Sequence, residues 1–143
     1  MIQIQLPYSI YRVPFTQGHE EQVRYVDLSK NSQLRRQRVH QVFVGLGKRQ
    51  MKADVTKLLV IEGQVVTGDE GYLILDAVIR TRTATPKDDD GAVVGLYPAR
   101  DAMAEYLEVN DRWFKTGSIT FEKGLPERTV LTLRSAGEGP REV

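Results

Sequence analysis

Apolar and polar side chains alternate strictly at the start of the chain. Residues 2–6 place three aliphatic side chains on one face and two glutamines on the other, which is the two-residue period of a half-buried β-strand. Pro7 has no amide hydrogen to give to a neighbouring strand, so we expect the strand to end there. Two more short strands are predicted over residues 8–15 and 22–28, with a polar turn at 16–21 between them.

The next apolar run, residues 39–46, fits two patterns. Apolar side chains at positions 39, 42, 43 and 46 have helical spacing, whereas those at 42, 44 and 46 alternate as in a strand. The density of β-branched residues favours the strand. The polar run before it, residues 29–38, permits either a loop or a helical turn.

Residues 54–66 are predicted to form an extended strand covered on both faces, because aliphatic side chains occur at both odd and even positions. Turn-forming residues follow at 68–71 and predict a hairpin or a tight corner. A further strand is predicted within residues 71–85, where Thr and Arg alternate over 80–83, although a helix over 72–79 is also permitted. Residues 86–92 are then expected to form a charged loop.

One helix is predicted clearly, over residues 98–109. Pro98 suits a first helical position, and apolar side chains recur at 99, 102, 103, 106 and 107. The helix is expected to stop at Asn110. Two strands follow, residues 113–122 and 128–134, and the short connection at 123–127 predicts that they pair as a hairpin.

Together these elements predict a mostly β fold, a β-barrel or β-sandwich that is largely antiparallel, with one amphipathic helix at about 98–109. The length of 143 residues suits one domain. We assign residues 1–134 to a single β-rich domain. Residues 135–143 are polar and rich in glycine and proline, so they are expected to form a C-terminal tail.

Composition excludes several classes of protein. The chain has no cysteine, which excludes disulfide frameworks, cysteine nucleophiles and thiolate metal sites. No window holds 18 consecutive apolar residues, so neither a transmembrane helix nor a membrane partner is predicted. The first residues lack a basic region followed by an apolar run, so no secretory signal peptide is expected. The protein is expected to be cytoplasmic or to be incorporated into a virion or other large assembly.

Motifs for chemistry are weak throughout. Only His19 and His40 offer imidazole ligands, and a structural zinc site normally needs four Cys or His side chains. Asp88, Asp89 and Asp90 are adjacent, whereas calcium-binding loops space their ligands at alternate positions. Residues 45–49 have neither the glycine spacing nor the Ser or Thr of a phosphate-binding loop. No serine lies in a nucleophile-elbow motif, so no catalytic residue, metal or cofactor is predicted.

Charge is distributed unevenly along the chain. Residues 1–60 carry ten Lys or Arg and four Asp or Glu, a net charge of +6, while residues 61–143 carry ten and fifteen, a net charge of −5. The candidate partner-binding cations in the first part are Arg35, Arg36, Arg38, Lys48, Arg49 and Lys52. If residues 39–46 form a strand, these two groups flank it and meet at one end of the fold. Clustered cations of this kind suit nucleic acid or an acidic surface on another subunit.

Most of the aromatic residues spread along the chain are expected to fill the core. They are Tyr8, Tyr11, Tyr25, Tyr72, Tyr97, Trp113 and Phe114. Trp113 and Phe114 are different, because adjacent residues on one strand cannot both face inward. One of them is therefore a candidate for a partner surface, where aromatic side chains are enriched.

The preferred function is non-catalytic: a structural or assembly subunit that forms a homo-oligomer or part of a larger particle. A phage-type virion component (head decoration, connector or tail tube) is one example, by analogy of size and composition. The partners would then be further copies of the chain or other structural proteins. The alternative is a nucleic-acid-binding module that uses the basic segment 35–52, and a small hydrolase-type enzyme is a minor alternative.

Overall fold

The computed structural model describes residues 1–19, 21–63, 72–83 and 89–136. Its strands are β1 (Ile2–Leu6), β2 (Val13–Phe15), β3 (Arg24–Val26), β4 (Leu73–Thr81), β5 (Phe114–Lys123) and β6 (Arg128–Ser135). Its helices are α1 (Lys30–Gln33), α2 (Arg38–Glu62), α3 (Asp89–Gly95) and α4 (Tyr97–Leu107), and a 3₁₀ turn covers Asp111–Trp113.

Four strands form the main sheet in the order β1-β6-β4-β5. β6 runs antiparallel to both β1 and β4, whereas β4 and β5 are parallel. Parallel neighbours need a long crossover connection, and α3 and α4 lie in the segment that supplies it. β2 and β3 pair with each other in a separate antiparallel hairpin.

The core lies between one face of this sheet and the helices. Alternate residues of β1, β4 and β6 are buried, and they join one hydrophobic cluster with side chains of α2, α4 and the β2–β3 hairpin. The buried residues of α2 lie three or four positions apart: Val44, Gly47, Met51, Val55 and Leu59. The fold is therefore a layer of helices, with the small hairpin, packed on one face of an open sheet.

The mostly β prediction holds only in part. The sheet and its strands at 2–6, 73–81, 114–123 and 128–135 agree with the predicted strands. Helices, however, hold more of the described residues than strands do. No closed barrel is formed by the described residues. The face that a second sheet would cover in a sandwich is covered by helices instead, so the fold is mixed α/β.

The strand predictions at 39–46 and 54–66 were wrong. Residues 64–66 lie outside the described residues, and residues 39–46 and 54–62 belong to the 25-residue helix α2. Its buried residues keep helical spacing along the whole length, and burial of that line outweighs the weak strand preference of the β-branched side chains. The helix ends at Gly63, whose φ of 60° is the left-handed conformation that closes many helices.

The predicted helix at 98–109 is confirmed as α4, with Pro98 in its first turn. It ends at Leu107, before the expected stop, because Glu108 takes the left-handed conformation. The predicted charged loop over 86–92 was wrong in its second half, since α3 begins at Asp89. The strands predicted over 8–15 and 22–28 are shorter and become β2 and β3.

β5 and β6 do not pair as the predicted hairpin. β4 lies between them and bonds to both, so the connection after Lys123 passes the end of β4. Gly124 donates its amide to the carbonyl of Thr81 there, at 2.9 Å. The turn predicted at 68–71 and residues 137–143 of the predicted tail lie outside the described residues.

Candidate functional site

The six candidate cations form two separate groups. Arg35 and Arg36 lie in the loop before α2 and Arg38 is its first residue, whereas Lys48, Arg49 and Lys52 lie further along the same helix. Ten helical residues span about 15 Å. The expectation that both groups flank a strand and meet at one end of the fold was therefore wrong.

The first group is held in a defined loop. The side-chain amide of Gln41 donates to the carbonyls of Gln33, at 2.9 Å, and of Arg35, which ties the loop to the first turn of α2. Arg35 donates to the side chain of Gln37 at 3.1 Å. Arg35, Arg36 and Arg38 are all exposed. No described carboxylate lies within ion-pair distance of them.

The second group faces α4. Lys52 Nζ donates to Glu105 Oε1 at 2.6 Å. This hydrogen bond, with a smaller contribution from the charge of Asp101, raises the pKa of Lys52. Lys48, Arg49 and Lys52 line a small pocket together with Tyr97 and Asp101 of α4. These cations are thus partly matched by acidic side chains of the same chain.

The side of α2 that faces away from the core carries a second regular line of residues, and five of its seven members are apolar. The positions recur at alternating three- and four-residue steps, which is the spacing of the facing line of a coiled-coil helix. We call this line the outer stripe: Val39, Val42, Leu46, Arg49, Ala53, Thr56 and Val60. All but the half-buried Leu46 are exposed. A surface helix normally has one apolar stripe, whereas α2 has in addition this second, mostly apolar line, which Arg49 and Thr56 interrupt.

The outer surface of the neighbouring helix α4 is acidic. Asp101 and Glu105 lie on this helix and Glu108 follows its last residue, and all three side chains are exposed. We call these three residues the acidic row. The helix layer therefore presents an apolar line with cations beside a line of carboxylates. The sequence predicted the charge difference between residues 1–60 and residues 61–143. It missed the outer stripe because the same residues were assigned to strands.

Trp113 and Phe114 point in different directions. Phe114 is 4% exposed and belongs to the core, whereas Trp113 is 42% exposed. The Trp113 ring packs against Tyr72 with 5.8 Å between ring centroids, and Lys115 Nζ lies 3.8 Å from the centre of the Tyr72 ring. The expectation that most of the seven spread aromatic residues fill the core was wrong, because four of the seven are exposed: Tyr25, Tyr72, Tyr97 and Trp113. The other aromatic side chains of the described residues belong to the core or pack against it.

One serine and one histidine meet, although no motif predicted it. His40 Nε2 is 2.9 Å from both the hydroxyl and the carbonyl oxygen of Ser32. A carbonyl oxygen can only accept, so the second contact requires a hydrogen on Nε2. A general base would instead accept the serine proton at this nitrogen. The contact therefore acts as a link between α1 and α2.

Other kinds of site were searched for in the same residues. Within the described ranges, no three His, Cys, Asp or Glu side chains come close enough to hold a metal ion. No helix there combines the length and the apolar composition needed to cross a membrane. No protein-family model matches the chain, and no curated protein sequence matches it. Function must therefore be inferred from the surfaces of the molecule.

Proposed function

We propose that this protein is a non-catalytic assembly subunit, which acts by contacting further copies of itself within a homo-oligomer or a larger particle. A virion component of the phage type, such as a head decoration, connector or tail-tube protein, is one assembly of this kind. The observation that carries the proposal is the outer stripe of α2, a mostly apolar line whose three valines are exposed in the single chain.

Burial of the outer stripe would stabilise an assembly. Val39, Val42 and Val60 are exposed in the single chain, and fully burying one valine side chain contributes about 1.5–3 kcal/mol. Ala53 and Thr56 are small, so a partner helix can approach α2 closely at the middle of the stripe. A stripe with coiled-coil spacing fits another helix better than it fits a flat sheet or a small ligand.

Charge favours a second copy of the same chain as the partner. Arg38, Arg49 and Lys57 are exposed on α2, and the acidic row is exposed on the adjacent α4. In a contact with two-fold symmetry, residue i of the first copy meets residue j of the second, and residue j of the first copy meets residue i of the second. Two helix layers stacked in this way would pair α2 of each copy with the acidic row of the other. Complementary charges of this kind select the partner and the register.

Two matched substitutions test the proposal. Val42 is 46% exposed on the outer stripe, and Val23 is 48% exposed just before β3, away from it. Val42→Glu is expected to weaken self-association at least about tenfold, and Val23→Glu is expected to leave it unchanged. Sedimentation equilibrium measures both, with circular dichroism as the control for folding. Equal association constants for the two variants would contradict the role of the stripe.

Nucleic-acid binding is a second candidate, favoured by Arg35, Arg36 and Arg38, which are exposed and form no ion pair with any described carboxylate. It has less support, because the other cations of the basic segment lie about 15 Å away and Lys52 is paired with Glu105. A gel-shift titration against salt tests it. Tight binding that weakens steeply with salt supports this candidate, and no binding at low salt removes it.

A further inference from the structure

A cleft of about 800 Å³ lies on the hairpin side of α2. Its walls come from the second half of α2, the loop between β1 and β2, the β2–β3 hairpin and the turn between β5 and β6. Its volume falls in the range of ligand-binding clefts. Most of the lining is apolar, and the apolar side chains are Pro7, Pro14, Leu58, Ile61, Leu125 and Pro126.

The lip of the cleft is fixed in place. The turn that carries Leu125 is held at both ends, because Gly124 donates to the carbonyl of Thr81 and the amide of Arg82 donates to Glu127 Oε1 at 3.2 Å. Leu125 nevertheless remains 67% exposed, and Ile61 on the opposite wall is 68% exposed. Two large aliphatic side chains are thus presented to solvent on ordered elements.

Hydrogen bonds also fix the floor of the cleft. Tyr8 is buried, and its hydroxyl donates to Asp54 Oδ2 at 2.6 Å. Gln50 donates to the other oxygen of the same carboxylate at 2.9 Å. The main chain of Tyr8 accepts a hydrogen bond from Thr129 Oγ1 at 2.8 Å. Asp54 is therefore satisfied within the protein and does not need a cationic ligand.

Cations from three different elements surround this apolar surface. They are Arg12, Lys57 and Arg82, and no described carboxylate lies within ion-pair distance of any of them. Arg12 stacks over the ring of Tyr25, 3.8 Å from its centre. The two carboxylates of the lining, Asp54 and Glu127, already accept hydrogen bonds. Both carboxylates keep their negative charge but are half-buried, whereas all three cations are exposed, so the exposed charges of the described lining are positive.

We infer that this cleft binds an acidic peptide segment of a partner protein, with apolar side chains against the floor and carboxylates at Arg12, Lys57 and Arg82. Small ligands are mostly enclosed by their sites, whereas this cleft is open along the lip formed by Ile61 and Leu125. An extended polypeptide can cover both side chains at once and reach all three cations. The inference extends beyond self-association, because the apolar α2 residues of the cleft, Leu58 and Ile61, are not members of the outer stripe.

Peptide binding to the intact chain tests the inference by fluorescence anisotropy. The probe is a short labelled peptide of alternating leucine and glutamate, and its control is the same peptide with lysine in place of glutamate. The glutamate peptide is expected to bind and the lysine peptide is not. No binding of the glutamate peptide at about 1 mM, or equal binding of both, would overturn the inference.

Three variants locate the binding. Arg82→Glu and Leu125→Ala are each expected to weaken binding of the glutamate peptide at least about tenfold. Lys30→Glu changes an exposed cation on α1, outside the cleft, and is expected to have no effect on peptide binding. If Arg82→Glu and Lys30→Glu weaken binding equally, the peptide responds only to net charge and the cleft assignment is wrong. If dodecanoate binds at the cleft and the peptide does not, the site takes a small amphiphile and the peptide assignment is wrong.

Discussion

At the scale of single residues, Tyr8 joins parts of the chain that are far apart in sequence. Its side-chain hydroxyl bonds to α2 through Asp54, and its carbonyl bonds to β6 through Thr129. The aromatic and β-branched run in which Tyr8 lies predicted burial of such a ring. The partner could not be predicted, because Asp54 was assigned to a strand and lies 46 positions away.

Tyr8 gives a pH-dependent stability. Burial, the hydrogen bond to Asp54 and the charge of that carboxylate all raise the pKa of Tyr8 above the ordinary value of 10.0. Tyrosine in the unfolded chain loses its proton above about pH 10 while Tyr8 in the folded chain keeps it, so the free energy of unfolding falls as pH rises through that value. Below about pH 10 the contribution of Tyr8 is fully present.

Tyr8→Phe is therefore expected to reduce the loss of stability between about pH 9 and pH 11. At neutral pH the same change leaves one oxygen of Asp54 without its donor and costs about 1–2 kcal/mol. Denaturant unfolding at each pH measures both effects. Tyr25→Phe, at an exposed ring, is the control and should retain the wild-type slope. The account of Tyr8 fails if both variants show the same slope.

At the scale of elements, α2 is where sequence and structure differ most. Its β-branched residues, and the aliphatic side chains at both odd and even positions, are typical of a strand covered on both faces. They are equally compatible with a helix that has two apolar sides, and only the packing partners distinguish the two. Residues 98–109 carry one clean helical stripe, so α4 could be predicted. β4 separates β5 from β6, and no local pattern records which of several strands lies in the middle of a sheet.

Two glycines of α2 test its packing against β3. A Cβ on Gly47 would overlap Val26 Cγ1 and approach Leu28, whereas a Cβ on Gly45 would meet no atom within 4 Å. Gly47→Ala is expected to destabilise the fold by about 1–3 kcal/mol, as overpacking does. Gly45→Ala is expected to stabilise it by about 0.5–1 kcal/mol, because alanine loses less backbone entropy in a helix. Thermal or urea unfolding decides between these signs, and a shift in the same direction for both variants would contradict the packing of α2.

At the scale of the whole molecule, the uneven charge along the chain becomes a surface property. The cations of residues 1–60 and the carboxylates of residues 61–143 meet where α2 packs beside α4, as the Lys52–Glu105 pair illustrates. The sequence predicted that opposite charges would matter for contacts between copies. It could not predict that both would lie on one helix layer, because that layer exists only when residues 38–62 are helical.

The wild-type mass in solution tests the central claim most directly, which is that the outer stripe and the acidic row bring copies of the chain together. Light scattering over concentrations from about 1 μM to about 1 mM spans weak and moderate association. The account predicts a mass that rises with concentration to at least twice the chain mass of 16.2 kDa. A mass of 16.2 kDa at every concentration would contradict it.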